Sequence, residues 1–156
     1  MNAVNSIADY TPKSFPEVTE ETQGSVAWLS TQNFGSVQFS EVDTLFALFQ
    51  KAKLISQGID EQTLKKAVVE AVRLMSSGLF PDFQKPAISV DEYGEFSFSI
   101  ENSSGYLDIG VCGHGELSYH VRNDVNPDFT VFGDCDWNDT SVPDELVEGT
   151  VNLLKR

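Results

Sequence analysis

The spacing of apolar residues changes at Pro86, and this change constrains the fold more than any other feature of the 156-residue chain. Before Pro86, apolar residues recur at intervals of three and four, which is typical of helices with one buried face. After it, they alternate with polar residues in four successive runs, which is typical of half-buried strands. This order predicts a two-layer α+β domain, in which a helical hairpin and a C-terminal helix pack on one face of an antiparallel β-meander of four to five strands.

Two helices are predicted before the change. Ser40 begins the first as a hydroxyl N-cap, and Gly58 follows its end near residue 55. Asp60 caps the second, and Gly78 closes it. The predicted buried residues are Val42, Leu45, Phe46, Phe49 and Ala52 in the first helix, and Leu64, Ala67, Val68, Ala71, Val72 and Met75 in the second.

The register of the strands follows from the three loops that join them, Glu92–Gly94, Asn102–Gly105 and Gly113–Gly115. A slip of one residue would place apolar side chains on both faces, so each loop length can be tested against the alternation. A two-residue turn at residues 114–115 fails this test, whereas the three-residue loop passes it. The predicted opposing pairs are Ile88–Phe98, Val90–Phe96, Phe98–Ile109, Ile100–Leu107, Leu107–Val121, Ile109–Tyr119 and Val111–Leu117.

The C-terminal segment predicts a further strand and a last helix. The strand is expected at Phe129–Phe132, and the helix begins at Ser141 or Thr140 with Pro143 in its first turn. The predicted buried side of this helix consists of Leu146, Val147, Val151 and Leu154.

The domain organisation is one α+β domain, residues 40–156, preceded by a partly ordered arm, residues 1–39. In this arm, Trp28 is expected to dock on the core and residues 1–24 to be mobile. No apolar run approaches the roughly 20 residues of a membrane span, and the N-terminus lacks the basic and apolar regions of a secretory signal. We therefore expect a cytoplasmic protein.

Negative charge is concentrated in the strand-rich half. Between Pro86 and Leu154 there are fourteen acids and one base, Arg122, whereas residues 1–85 hold ten acids and seven bases. The net charge of −14 disfavours direct binding of nucleic acid or of an anionic membrane. Acidity of this kind can simply maintain solubility, or it can present a surface of carboxylates to a basic partner protein. The residues expected to bind such a partner are Asp91, Glu92, Tyr93, Glu95, Glu101, Asp108, Glu116, Asp134, Asp136, Trp137 and Asp139.

Metal sites have two candidate positions. The cysteines and histidines, Cys112, His114, His120 and Cys135, are residue types that zinc prefers, but the register separates Cys112 from His120 by about 13 Å along the sheet. We therefore predict no zinc site. Two cysteines without a secretory signal are not a disulfide framework, so both are predicted to be free. The segment Asp134–Glu145 resembles a calcium loop at positions 1, 3, 5 and 12, but it has Asp139 where that loop requires glycine. A calcium-dependent binding module is thus the alternative hypothesis.

Catalytic motifs are absent from the sequence: there is no nucleophile elbow, phosphate-binding glycine loop or zinc-protease helix. We expect neither an enzyme nor a cofactor. A small enzyme would require a deep pocket lined by His120 and convergent carboxylates.

Two segments carry a resemblance to known proteins. They are Pro86, Ile88, Ser89, Val90, Asp91, Gly94, Glu95, Ser97 and Phe98, followed by Gly113, Gly115, Glu116, Leu117, Ser118 and Tyr119. This strand-and-turn pattern resembles the sheet of small acidic bacterial proteins encoded on mobile elements, of the antitoxin or anti-defence (anti-CRISPR) type. The resemblance and the charge together predict a non-enzymatic inhibitor that mimics nucleic acid and binds the basic surface of a partner protein.

Overall fold

The computed structural model describes residues 39–138 and 141–155. Within these ranges a helical pair precedes a sheet and a single helix follows it, so the predicted α+β class is confirmed. The predicted arm lies outside the described residues except for Phe39. The elements are α1 (Phe39–Ile55), α2 (Glu61–Met75), β1 (Ala87–Val90), β2 (Phe96–Asn102), β3 (Gly105–Val111), β4 (Glu116–Asn123), a 3₁₀ turn (Pro127–Phe129), β5 (Val131–Asp136) and α3 (Asp144–Leu153).

The two N-terminal helices are confirmed, but α1 begins at Phe39, so Ser40 lies within the helix and is not its N-cap. Asp60 caps α2, because its carboxylate accepts hydrogen bonds from the backbone N–H of Thr63 at 2.9 Å and from the Thr63 hydroxyl at 2.8 Å. The backbone bond from Thr63 is also the main reason that the pKa of Asp60 lies below its ordinary value. α2 ends at Met75, three residues before Gly78, which adopts a positive φ of 80°. The predicted apolar stripe of α1 is confirmed, since Leu45, Phe46, Phe49 and Ala52 are buried.

The five strands form one antiparallel sheet whose spatial order equals their order along the chain. Each predicted register is confirmed: Val90 lies opposite Phe96, Ile100 opposite Leu107, and the remaining pairs follow. Gly94 and Gly115 adopt the positive φ that their loops require, 77° and 75°. The loop lengths therefore place the apolar residues of the four strands on one face.

The segment after β4 differs from its prediction. The fifth strand runs over Val131–Asp136, because Phe129 belongs to the preceding 3₁₀ turn. The last helix begins at Asp144, after Pro143, and no side chain caps it. Ser141 does not serve as the N-cap; its carbonyl instead accepts a hydrogen bond from the Trp137 indole at 3.0 Å. Thr140 lies outside the described residues.

The buried side of α3 also differs from its prediction. Leu146 and Leu154 are buried, but Val147 and Val151 are exposed. The helix instead turns Gly149 toward the sheet, where a Cβ atom would lie only 3.0 Å from a methyl group of Val131. This close approach is possible because glycine lacks a side chain, and it brings Gly149, Thr150 and Leu153 into the buried face.

The three helices pack on the same face of the sheet, which we call the inner face. α1 contacts β1, α2 contacts β2 and β3, and α3 contacts β3, β4 and β5. No helix in residues 39–138 or 141–155 combines the length and apolar character needed to cross a lipid bilayer. The buried side chains of the inner face are Val90, Phe96, Phe98, Ile100, Leu107, Ile109, Val111, Leu117, Tyr119 and Val121.

Candidate functional site on the outer face of the sheet

The opposite side of the sheet, which we call the outer face, has no helix over it among the described residues. Its side chains alternate with the buried ones along each strand. Six of them are carboxylates and one, Arg122, is a base. The residues of the outer face are Ser89, Glu95, Ser97, Ser99, Glu101, Tyr106, Asp108, Gly110, Glu116, Ser118, His120, Arg122, Phe132, Asp134 and Asp136.

The backbone register brings carboxylates of separate strands close together. Glu116 lies directly opposite Asp136 on the neighbouring strand. Like charges in such a pair destabilise a sheet. The next outward-facing row across the sheet consists of the small residues Ser97, Gly110 and Ser118 on β2, β3 and β4, followed by Asp134 on β5. The outer face therefore combines crowded negative charge with a flat centre.

Two of these carboxyl groups are poorly solvated. Burial is the main cause that raises the pKa of Glu95, and the negative charges of Asp91, Asp108 and Asp134 raise it further. Burial also raises the pKa of Asp108, although His120 opposes this shift. The acids that act on Glu95 come from β3, β5 and the β1–β2 loop, and we call this group together with Glu95 the acidic cluster.

The positive charge of Arg122 is already engaged. Its Nε lies 3.0 Å from the carboxylate of Asp124, and its guanidinium stacks 4.7 Å from the ring centre of Tyr106. Arg122 therefore balances an acid outside the cluster and leaves the cluster's own charge uncompensated.

Aromatic side chains border the carboxylates at one side. The Tyr106 hydroxyl lies 2.6 Å from Nδ1 of His120, whose ring in turn meets that of Phe132 edge to face at 6.2 Å. His120 lies opposite Asp108, as the predicted register requires. Phe132 is 77% exposed although it is a large apolar residue, so it contributes little to the core.

A shallow groove of about 500 Å³ runs between the carboxylates and the aromatic residues. It is open to solvent along the sheet. Its lining consists of Asp108, Gly110, Ser118, Tyr119, His120, Phe132, Gly133 and Asp134.

The β1–β2 loop adds further predicted partner-binding residues beside this face. The Asp91 carboxylate accepts hydrogen bonds from the backbone N–H groups of Tyr93 at 2.9 Å and Glu95 at 3.0 Å, which fixes the loop. Glu92 and Tyr93 are exposed. The outer face itself gathers Glu95, Glu101, Asp108, Glu116, Asp134 and Asp136 of the predicted set, whereas Asp139 lies outside the described residues.

Trp137 was predicted to bind a partner, and this prediction is wrong. Its side chain is only 1% exposed, and its indole N–H donates to Ser141. The Arg73 guanidinium lies 5.4 Å from the centre of the indole ring and donates to the Trp137 carbonyl at 3.3 Å. The backbone N–H of Trp137 also bonds to Gly115, which extends the pairing of β5 beyond its last residue. Trp137 is therefore a core residue.

The described residues of the segment Asp134–Glu145, the alternative calcium site, do not converge on one point. Asp134 and Asp136 belong to a strand and lie on the outer face, whereas the Glu145 carboxylate accepts a hydrogen bond from the Tyr119 hydroxyl. Because Tyr119 belongs to the inner face, the first and last positions of the loop point to different sides of the sheet. Within residues 39–138 and 141–155, no group of three or more His, Cys, Asp and Glu side chains is placed to hold a metal ion.

The cysteines and histidines are also distributed over both sides. Cys112 and Cys135 are free, and Cys135 packs against the core opposite Leu117, whereas His120 lies on the outer face. Burial is the main cause that raises the pKa of both thiols above the ordinary value. A raised pKa favours the thiol form, which is a weaker nucleophile and metal ligand than the thiolate.

Glu70 is a structural residue that the sequence analysis did not identify. Its side chain is only 6% exposed, and its carboxylate accepts hydrogen bonds from the backbone N–H of Gly113 at 2.6 Å and of Gly115 at 2.7 Å. Gly113 packs so closely on α2 that a Cβ atom would lie 2.2 Å from the Thr63 carbonyl oxygen. Glu70 thus holds the β3–β4 loop, and with it one end of the outer face, against the helices.

No protein-family model, curated protein or solved structure matches this chain. The functional argument therefore depends on the geometry of the outer face.

Proposed function

We propose that this chain is a non-enzymatic inhibitor that binds the basic, nucleic-acid-binding surface of a cytoplasmic partner protein, in the manner of antitoxins and anti-defence proteins. The observation that carries the proposal is the outer face, which no helix of the described residues covers. Six carboxylates share this surface with one base, Arg122, and that base is paired with Asp124. A surface of fixed negative charges complements a groove that evolved to bind phosphates.

The energetic cost of the outer face supports a binding role. Glu116 lies opposite Asp136 on the neighbouring strand, a position where like charges destabilise a sheet, and the pKa of Glu95 is raised by burial and by its acidic neighbours. Solubility alone does not require charges to be crowded at such positions, because widely spaced acids repel each other less. A basic partner would relieve this repulsion, so the free energy stored in the free protein would contribute to binding.

The arrangement favours binding over catalysis. The groove beside His120 is shallow and open, and Nδ1 of His120 is engaged by the Tyr106 hydroxyl. The carboxylates are held by strands about 4.8 Å apart, with same-face neighbours roughly 7 Å apart along each strand. Such a surface is preorganised, and its field increases the association rate with a basic partner most strongly at low ionic strength.

The first step of the test identifies a partner and the second measures inhibition. Immobilised protein is incubated with a bacterial lysate at low salt, and retained proteins are eluted with a salt gradient. Each purified candidate is then assayed for binding to a labelled DNA duplex with and without this chain. The proposal predicts that the chain displaces the duplex and that its affinity falls steeply with increasing salt.

Two matched double variants test whether partner binding depends on the charges of the outer face. The double variant Asp108→Asn/Asp134→Asn removes two charges from the outer face, and Asp144→Asn/Glu148→Gln removes two from α3, which covers the inner face. We expect the first pair to weaken binding about tenfold and the second pair to change it less than about twofold. Equal effects of the two pairs, or a partner that binds independently of salt, would refute the proposal.

A further inference from the structure

The groove on the outer face is lined in part by Gly110, which has no side chain. A Cβ atom at Gly110 would lie 2.8 Å from the carboxyl carbon of Glu95 and 2.8 Å from the hydroxyl oxygen of Ser118. The two side chains therefore meet above Gly110, where Glu95 also lies within 3.4 Å of the Ser97 hydroxyl. The absence of a side chain at Gly110 lets the half-buried Glu95 carboxylate lie against the edge of the groove that Asp108 and Asp134 line.

Among the described residues, no lysine or arginine forms an ion pair with these carboxylates. The ion pairs found there join Lys53 and Lys65 to Glu61, Lys85 to Glu41 and Asp82, and Arg122 to Asp124. Glu95, Asp108 and Asp134 take part in none of them. Partly desolvated carboxylates without a counterion gain more from an incoming cation than fully hydrated ones do.

The aromatic side chains beside the groove, Phe132 and His120, favour one kind of cation. Phe132 stands exposed at one side of the groove, with the His120 ring against it. A guanidinium group is planar, stacks on aromatic rings and donates paired hydrogen bonds to carboxylates, whereas an ammonium group is a compact and strongly hydrated charge. The lining of the groove combines an exposed aromatic ring, Phe132, with the carboxylates of Asp108 and Asp134, and this combination matches guanidinium better than ammonium.

We infer that this groove is a specific pocket for an arginine side chain of the bound partner, with Phe132 stacking on the guanidinium and Asp108, Asp134 and Glu95 accepting its hydrogen bonds. The inference rests on the proposed function and makes it more specific: the partner inserts arginine, and lysine does not replace it. Phe132 provides the preference for arginine, and the carboxylates provide the attraction that any basic group would experience.

Synthetic peptides test this inference on the full-length protein. Short fluorescein-labelled Gly/Ser peptides of equal length carry arginine, lysine or the neutral arginine analogue citrulline at the same positions, and their affinities are measured by fluorescence anisotropy at low and high salt. We expect the arginine peptide to bind about fivefold tighter than the lysine peptide, and the citrulline peptide not to bind. Backbone amide resonances of Gly110, Ser118 and Gly133 should shift on addition of the arginine peptide.

Two variants at exposed apolar residues test whether an arginine preference depends on the groove or on any exposed apolar side chain. Phe132→Ala should abolish the preference for arginine and leave the affinity for the lysine peptide unchanged. Leu54→Ala is the control, because Leu54 is 87% exposed but lies on α1. Both variants remove exposed side chains, so both should fold, and circular dichroism verifies this.

The outcomes distinguish the inference from the proposed function. Equal, salt-dependent binding of the arginine and lysine peptides, or an arginine preference that survives Phe132→Ala, overturns the arginine pocket and leaves the acidic binding face standing. Absence of binding by both basic peptides at low salt overturns the pocket and the proposed function together. A preference for arginine that disappears only in Phe132→Ala supports both.

Discussion

Replacing Glu70 with Ala should lower the free energy of unfolding by about 3 kcal/mol, because the carboxylate is the hydrogen-bond acceptor for two backbone groups of the β3–β4 loop. These bonds are short, 2.6 Å from Gly113 and 2.7 Å from Gly115. A hydrogen bond to a charged acceptor contributes roughly 1.5–3 kcal/mol. Gly113 is buried, so its N–H would lose its partner without gaining water, whereas Gly115 is half-exposed and can be hydrated. The full effect of the first bond and a fraction of the second give the stated value.

Urea denaturation measures this loss as a lower midpoint with an unchanged slope. Glu70→Gln keeps one acceptor oxygen but directs an amide N–H toward a backbone donor, so it should lose about half as much. Glu61→Ala is the matched control on the same helix, because Glu61 forms only exposed ion pairs, the shorter at 3.1 Å to Lys65, and should lose less than about 1 kcal/mol.

Hydrogen exchange provides a local measurement of the same contact. The amides of Gly113 and Gly115 should exchange faster in Glu70→Ala than in the parent protein, and those of β2 should change only as far as global stability changes. If Glu70→Ala is as stable as Glu61→Ala, or if the two glycine amides keep their protection, the carboxylate does not hold the loop and the reasoning is wrong.

Three further substitutions test other groups. Glu95→Gln should raise the melting temperature at pH 7 by about 2 °C and leave it unchanged near pH 4. The pKa of Glu95 is raised in the folded protein, so the stability that the protonated side chain contributes is lost as the pH rises through that pKa. An identical shift at both pH values would contradict this. Tyr119→Phe should remove an absorbance titration near pH 12, because the hydrogen bond to Glu145 raises the pKa of Tyr119 from 10.0 to about 12. The parent protein should lose stability as the pH rises from 10 to 12, and the variant should lose less. An unchanged alkaline titration would be evidence against the bond. Thr150→Val should add about 1 kcal/mol of stability in thermal melts, because the fully buried Thr150 hydroxyl has no hydrogen-bond partner among the described residues. Thr130→Val should destabilise, since the Thr130 hydroxyl accepts a hydrogen bond from the backbone N–H of Asn123 at 3.0 Å. The same sign for both variants would show that the Thr150 hydroxyl is satisfied.

The sheet could be predicted from the sequence because its determinants are local. Strand pairing in a meander depends on loop length and on the alternation of side chains, and both can be read from about twenty consecutive residues. The pair Asp108–His120 and the clustering of Glu95 with acids from other strands follow from that register. The same alternation continues to Trp137, two residues beyond Cys135, so the burial of Trp137 was also predictable from its position.

Other features depend on contacts between distant elements. The buried face of α3 is decided by the close approach of Gly149 to Val131, which the helical period alone does not reveal. Glu70 accepts hydrogen bonds from a loop more than forty residues later. Its place between the buried Ala67 and Leu74, three and four residues away, was the only available signal. The groove likewise needs side chains from separate strands and cannot be seen in any one of them.

Alternation along the strands gives the chain two independent sets of positions. Substitutions at every second residue alter the exposed outer face, while the intervening residues and the glycine loops continue to specify the scaffold. The chemistry of the outer face can therefore change while the interior and the fold are retained.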